Sequence, residues 1–96
     1  MKVVVADQVV AFLRRLPPEP RRRIRAALRD LAKEKGDIKS LDAPLEDYSR
    51  LRVGGYRIVF AYGKRHTIEC IFLERRSVVY ELLLEQVRRG LGREPR

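Results

Sequence analysis

Two adjacent glycines, Gly54-Gly55, stand between two apolar runs of strand length, and no other feature of the chain constrains its fold so tightly. The flanking runs, Tyr48 to Val53 and Tyr56 to Tyr62, are rich in β-branched and aromatic residues, as strands are. A two-residue hairpin loop needs positive φ angles, which glycine adopts without a Cβ penalty. If Gly54-Gly55 is the whole turn, Val53 pairs with Tyr56, Arg52 with Arg57 and Arg50 with Val59. Side chains alternate along a strand, so Arg50, Arg52 and Arg57 then share one face. Like charges directly opposite each other destabilise a sheet, and an anion bound between them removes the repulsion. The competing possibility is that one arginine reaches into solvent or pairs with Glu69 or Glu74 across the sheet. A longer turn would change the pairing.

The remaining elements follow from periodicity and punctuation. Residues 2–6, KVVVA, predict an edge or near-edge strand. Asp7 is placed to cap a helix whose stripe is Val9, Phe12, Leu13 and Leu16, ended by Pro17-Pro18. Pro20 suits the first turn of a second helix with the stripe Ile24, Ala27, Leu28 and Leu31, running to about Lys35 and capped by Gly36. Residues 37–46 contain Asp37, Asp42 and Pro44 and read as a loop. After the hairpin, 63–66 forms a second turn and Ile68 to Leu73 a third strand of the meander. Ser77 is placed to cap a last helix with Val79, Leu82, Leu83 and Val87 inward. Gly90 onward reads as a flexible tail. The expected order is β-α-α-β-β-β-α. This is an α+β class, with an antiparallel sheet packed by an N-terminal helical hairpin and a C-terminal helix. Residues 1–89 would form one domain and 90–96 its tail.

Composition narrows the function. Ninety-six residues make one domain, and 45% hydrophobic with 36% charged residues describes a globular chain. Twenty-two Lys and Arg against thirteen Asp and Glu give +9 and a pI near 10.4, which predicts an acidic partner such as nucleic acid. An arginine-favouring coding bias would produce the same excess, so composition alone does not decide. The first two helices carry Arg14, Arg15, Arg21, Arg22, Arg23, Arg25 and Arg29 on their outer faces. Such a face is ordinarily solvated, but some of it, Arg22 and Arg25 included, is available to RNA phosphates. No apolar run reaches the ~18–20 residues of a membrane span. The start MKVVVAD turns acidic too soon for a signal peptide, and Cys70 as the single cysteine fits a reducing compartment, so a cytoplasmic protein is expected. With one Cys and one His, neither a metal nor a small-molecule cofactor is expected.

A second basic pair, Arg75-Arg76, leads into the last helix, and Tyr80 lies on its first turn. Two cations entering a helix N-terminus oppose its dipole, but they suit a bound phosphate, with Tyr80 free to stack on a base. The stretches YSRLRVGGYRIVFAY and IECIFLERRSVVYE resemble the C-terminal half of RelE-type toxins of the RelE/ParE superfamily, the RelE-like branch above all. The resemblance covers about residues 45–82, and the element order matches over nearly the whole chain. It implies a toxin of a toxin–antitoxin pair, an endoribonuclease that cuts messenger RNA on the ribosome without a metal. The RNA's own 2′-hydroxyl would attack the adjacent phosphate, leaving a cyclic phosphate and a 5′-hydroxyl and inhibiting translation. Carried over residue by residue, Arg57 would hold the scissile phosphate and Arg50 would contact the reacting nucleotide, with Arg52 beside it. Arg76, or Arg75 after a one-residue shift, would assist the leaving group, and Tyr80 would orient the nucleotide. Some members carry lysine at the earlier strand position where this chain has Tyr48. Arginine stays protonated, so Arg50 is a poor general base. Glu46, Asp47 and His66 are the spare acid–base groups, while Cys70 alternates with Ile68 and Phe72 as a core residue would. The resemblance also implies a monomeric toxin neutralised by an acidic antitoxin laid across its basic surface. The same superfamily offers two alternatives: a ParE-like inhibitor of DNA gyrase, or a non-catalytic RNA-binding relative.

Overall fold

The computed structural model describes residues 1–76 and 79–89, over which the chain forms three helices and a five-stranded sheet. In chain order these are β1 (Lys2–Val5), α1 (Asp7–Arg15), α2 (Pro18–Leu31), β2 (Asp37–Ser40), β3 (Ser49–Val53), β4 (Tyr56–Tyr62), β5 (Thr67–Arg75) and α3 (Val79–Arg88). The expected α+β class is what the chain adopts. Across the sheet the order is β1-β5-β4-β3-β2. Strands β2 to β5 pair antiparallel, and β1 lies parallel to β5, Lys2 beside Thr67 and Val5 beside Cys70. The sheet is therefore mixed, because the two helices between β1 and the meander return the chain to the same end of the sheet.

Residues 37–40, expected in a loop, form the strand β2 at the far edge. Its short pattern leaves only Ile38 half-buried, opposite Leu51, too little alternation to declare a strand by itself. Helix α2 ends at Leu31 rather than near Lys35. Its last carbonyls are taken by the amides of Lys33, Glu34 and Lys35, and Glu34 adopts the left-handed conformation at φ 55°. At the start of α1 the capping position is Ala6. Asp7 is the first helical residue, where its charge faces the helix dipole favourably.

Both faces of the sheet are covered. Alternation sends Leu51, Ile58, Phe60, Ile68, Cys70 and Leu73 to one side, where Val9, Leu13, Leu16, Ile24 and Leu31 of α1 and α2 meet them. Phe12 closes this layer with an edge-on contact to Tyr56, ring centroids 6.1 Å apart. Val59 faces the other way, into a smaller cluster with Leu45, Tyr48 and Leu83 and with Phe72, Tyr80 and Leu84 at its margin. Each fully buried large side chain contributes about 1.5–3 kcal/mol, so truncating Phe60 in the larger layer should cost about 3–5 kcal/mol. On α3, Leu83 is inward as expected, but Leu82 is exposed and Leu84 packs in its place. The expected inward side chains of Val79 and Val87, the Ser77 cap and the 90–96 tail lie outside the described residues.

Two polar devices join the layers. Beyond the end of β1, the side-chain amide of Gln8 takes over the ladder of β5, accepting from the Leu73 amide at 2.8 Å and donating to its carbonyl at 2.9 Å. Arg21, expected on a solvated face, instead donates to the carbonyls of Leu13 and Leu16. It neutralises the negative end of α1 and fixes the helical hairpin.

Candidate functional site

The hairpin register is the one that the glycine pair implies: Val53 opposite Tyr56, Arg52 opposite Arg57, and Arg50 opposite Val59. Of the two glycines, Gly54 carries the positive φ, 58°. The face that collects Arg50, Arg52 and Arg57 is that of Val59, the one on which Leu83 of α3 packs.

Arg57 is the centre of the cluster. It is only 7% exposed, one of the two buried polar or charged residues among those described. Its Nη1 donates to the carbonyls of Gly54 and Tyr56, both at 2.9 Å. The turn therefore grips one edge of the guanidinium, and Nη2 and Nε have no protein partner among the described residues. The expected alternative partners do not claim them. Glu74 is the cross-strand neighbour of Arg57, but its carboxylate receives the amide of Gln8 instead, at 3.4 Å. Burial, and next the positive charge of Arg52, pull the Arg57 pKa below the ordinary arginine value. Arg50 and Arg76 add to this, and Tyr80 opposes it. A buried cation surrounded by cations is an unfavourable arrangement that a bound anion relieves.

Arg50 is held differently. Its Nη1 donates to the carbonyl oxygen of Asp37 at 2.7 Å and to the Asp37 carboxylate at 2.9 Å. Asp37 lies on β2 directly opposite Arg52, and the hydrogen bond from Arg50 lowers its pKa. Sequence reasoning treated Asp37 as a loop breaker, and no local signal ties it to Arg50, because the contact depends on β2 pairing with β3.

Arg76 joins the cluster through the backbone, its amide donating to the Gly55 carbonyl at 3.0 Å. Arg75 is the cross-strand neighbour of Tyr56, which packs against Phe12. It therefore lies on the opposite face, and Arg76 is the member of the pair that belongs with Arg57. Tyr80, half-buried on the first turn of α3, lines a cleft of about 320 Å³ together with Arg50, Lys39, Ser40, Leu41, Asp42 and Leu45.

Arg22 and Arg25 are not part of this assembly. They line a groove of about 330 Å³ on α2 with Arg21 and Arg29, and Arg22 pairs with Glu19 at 2.6 Å. One arginine of α2 does approach the site. The Nη1 of Arg23 would lie 3.1 Å from a Cβ placed on Gly54, so its guanidinium rests over the turn that holds Arg57. Its position in the helical arginine run did not distinguish it. His66 follows the far end of β4, exposed in the next turn, a strand's length from Arg57. That separation, roughly 3.3 Å per strand residue, removes it from contact with the cluster. Cys70 is buried in the larger core layer, as its alternation suggested. Among the described residues no group of three or more His, Cys, Asp or Glu gathers to hold a metal.

No protein-family model and no curated protein matches the chain. Solved structures do. A chain of the RelB–RelE antitoxin–toxin complex from Methanococcus jannaschii is similar at 26% identity over 81% of this chain and 95% of its own, with a TM-score of 0.65. The YoeB/ParE toxin from Agrobacterium tumefaciens aligns at 18% identity over 79% of this chain and 99% of its own, TM-score 0.66. The isolated RelE toxin of Escherichia coli aligns at 15% identity over 90% and 97%, TM-score 0.63. The last two likenesses are of fold alone.

Proposed function

We propose that this chain, a RelE/ParE-superfamily toxin by its fold, is an endoribonuclease that cuts messenger RNA on the ribosome. The observation that carries the reading is Arg57. Its guanidinium is buried, gripped on one edge by Gly54 and Tyr56 and surrounded by Arg50, Arg52 and Arg76. Such a group is prepaid in orientation and desolvation and offers a planar donor edge to a phosphate.

In this reading the free edge of Arg57 holds the non-bridging oxygens of the scissile phosphate. The 2′-hydroxyl of the preceding nucleotide attacks phosphorus, and the bond to the 5′-oxygen breaks. Products are a cyclic phosphate and a 5′-hydroxyl. The cluster stabilises the extra negative charge of the pentacovalent state, and Arg76 stands beside the departing oxygen. Arginine keeps its proton at neutral pH, so Arg50 acts electrostatically, the attacking hydroxyl loses its proton to solvent water, and water returns a proton to the departing 5′-oxygen. Tyr80 lies against the cleft as a stacking surface that aligns the nucleotide for in-line attack. The chemistry draws its charge stabilisation from arginines and calls on no metal. Arg52, exposed on β3, with Arg22 and Arg25 on α2, and Arg75 on the reverse face, serve as phosphate contacts along the RNA and ribosome.

An antitoxin partner is supported by the Methanococcus jannaschii neighbour, which was seen as an antitoxin–toxin complex. An acidic amphipathic segment would be complementary to the basic surface. The cytoplasm, where ribosomes are, is the compartment this activity requires.

The test is induction of the toxin followed by primer extension on a reporter transcript. Discrete cuts within translated codons, lost in Arg57→Ala and Tyr80→Ala, are the expected result. The ParE name of one neighbour motivates a second reading, inhibition of DNA gyrase. Growth arrest with intact transcripts and DNA damage would replace the nuclease by that activity.

A further inference from the structure

The cleft beside the arginine cluster has a composition that phosphate binding does not explain. Leu41, Leu45 and Tyr80 supply apolar and aromatic walls, and Arg50 joins the cleft to the cluster. At about 320 Å³ it lies at the small end of ligand pockets, the scale of a single nucleotide. Asp42 is the one acid among its described lining residues. Asp42 has no hydrogen bond or ion pair through its side chain to any described residue. A carboxylate in this lining disfavours phosphate and accepts from N–H groups, so the cleft suits a ligand that brings such donors.

We infer that this cleft takes a guanine base of the RNA strand held at Arg57, with the Asp42 carboxylate reading its Watson–Crick edge. The assignment rests on the nuclease reading for the neighbouring phosphate. Guanine is the RNA base that presents two adjacent donors, N1–H and the N2 amino group, to the two oxygens of a carboxylate. Cytosine and adenine place a ring acceptor beside their single amino group, and uracil flanks its one N–H with carbonyls. Both arrangements set a lone pair against the carboxylate. Guanine O6, next to N1–H, accepts from a cation, and Lys39 lies in the same lining, on the strand position opposite Arg50. Unstacked bases of single-stranded RNA are read in this way, between apolar walls and on their Watson–Crick edges. The base sits against Leu41, Leu45 and Tyr80 while Arg50 spans from the base pocket to the phosphate.

The experiment is fluorescence-anisotropy binding of the purified full-length protein to uridine tetranucleotides carrying one guanosine, adenosine or cytidine. The probes are 2′-O-methylated so that they cannot be cleaved. Wild type should bind the guanosine probe about tenfold more tightly than the others. Asp42→Asn should lose that preference and shift towards adenosine and cytidine, whose amino group and adjacent ring acceptor match a carboxamide. Arg57→Ala should weaken all probes alike. Equal binding of the probes by wild type, no binding of any probe, or an unchanged guanosine preference in Asp42→Asn overturns the assignment. Thermal melts of the variants separate lost recognition from lost folding, and Asp42, exposed in the β2–β3 connection, is not needed by the core. Cut-site mapping in cells distinguishes the two readings. Guanosine-selective binding without cleavage sinks the nuclease and keeps the pocket. Cleavage with base-indifferent binding sinks the pocket and keeps the nuclease.

Discussion

Arg52 and Arg57 face each other across the β3–β4 ladder, one exposed and the other buried, with no carboxylate paired to either among the described residues. The hairpin thus keeps a repulsive pair one step from its turn. Arg52→Gln removes one charge and keeps the length of the side chain. It should stabilise the protein by about 0.2–1 kcal/mol, a rise of a few degrees in Tm. The gain should shrink in high salt, which screens the repulsion in the wild type. Thermal melts at low and high ionic strength check this. RNA affinity should fall at the same time, a stability gain at the expense of function.

Arg57 separates charge from geometry. Arg57→Ala should lower cleavage by about 10²–10³-fold, the usual effect of losing a preorganised donor in a transition state. Arg57→Lys keeps the charge but cannot hold Gly54 and Tyr56 and also present a planar edge to phosphate. Its cleavage should stay close to that of the alanine variant. Quantified primer extension at matched protein levels gives the ranking. Lysine activity near wild type would mean that charge alone suffices.

The Asp37–Arg50 pair predicts a pH dependence. Arg50 depresses the Asp37 pKa below its ordinary value of 3.8. Its stabilising contribution is therefore fully present above about the unfolded value and is lost as pH falls through the lower folded value. Melts between pH 5 and pH 2 should show a component of acid destabilisation below 3.8 that Asp37→Asn lacks. Above pH 5 the same variant leaves Arg50 without its carboxylate partner, freeing it to bind the anion.

Cys70 should be inert in the folded protein. Burial pushes its thiol up to about 12, so almost no thiolate exists at neutral pH. Iodoacetamide at pH 8 should leave it unmodified by mass spectrometry and label it fully in denaturant. Rapid labelling of the native protein would contradict its burial.

Gly36 governs how β2 reaches the sheet edge. Its φ is +134°, and a Cβ there would lie 2.7 Å from Leu51 Cδ1. Gly36→Ala should cost about 1–3 kcal/mol through backbone strain and overpacking, and it should loosen Asp37 from Arg50. A Cβ on Gly55 meets nothing within 4 Å, so Gly55→Ala is the mild control. Urea denaturation compares the two.

The sequence by itself determined what local chemistry controls. Gly54-Gly55 between alternating apolar runs set a two-residue turn, and through it the opposition of Arg52 and Arg57. The stripes of α1 and α2 named the helical side of the larger core layer, because a 3.6-residue period needs no knowledge of the partner. Tertiary structure decided what depends on distant segments meeting. β2 exists because β3 offers an open edge, and only its pairing brings Asp37 to Arg50. Arg21 left the solvated face for the end of α1, and Arg23 reached the hairpin turn, through the packing angle of α2. The phase of β5 against β4 put Arg76 rather than Arg75 with Arg57. Residue spacing fixes direction within one element; which arginine meets which neighbour is settled by how the elements pack, and periodicity carries no record of that.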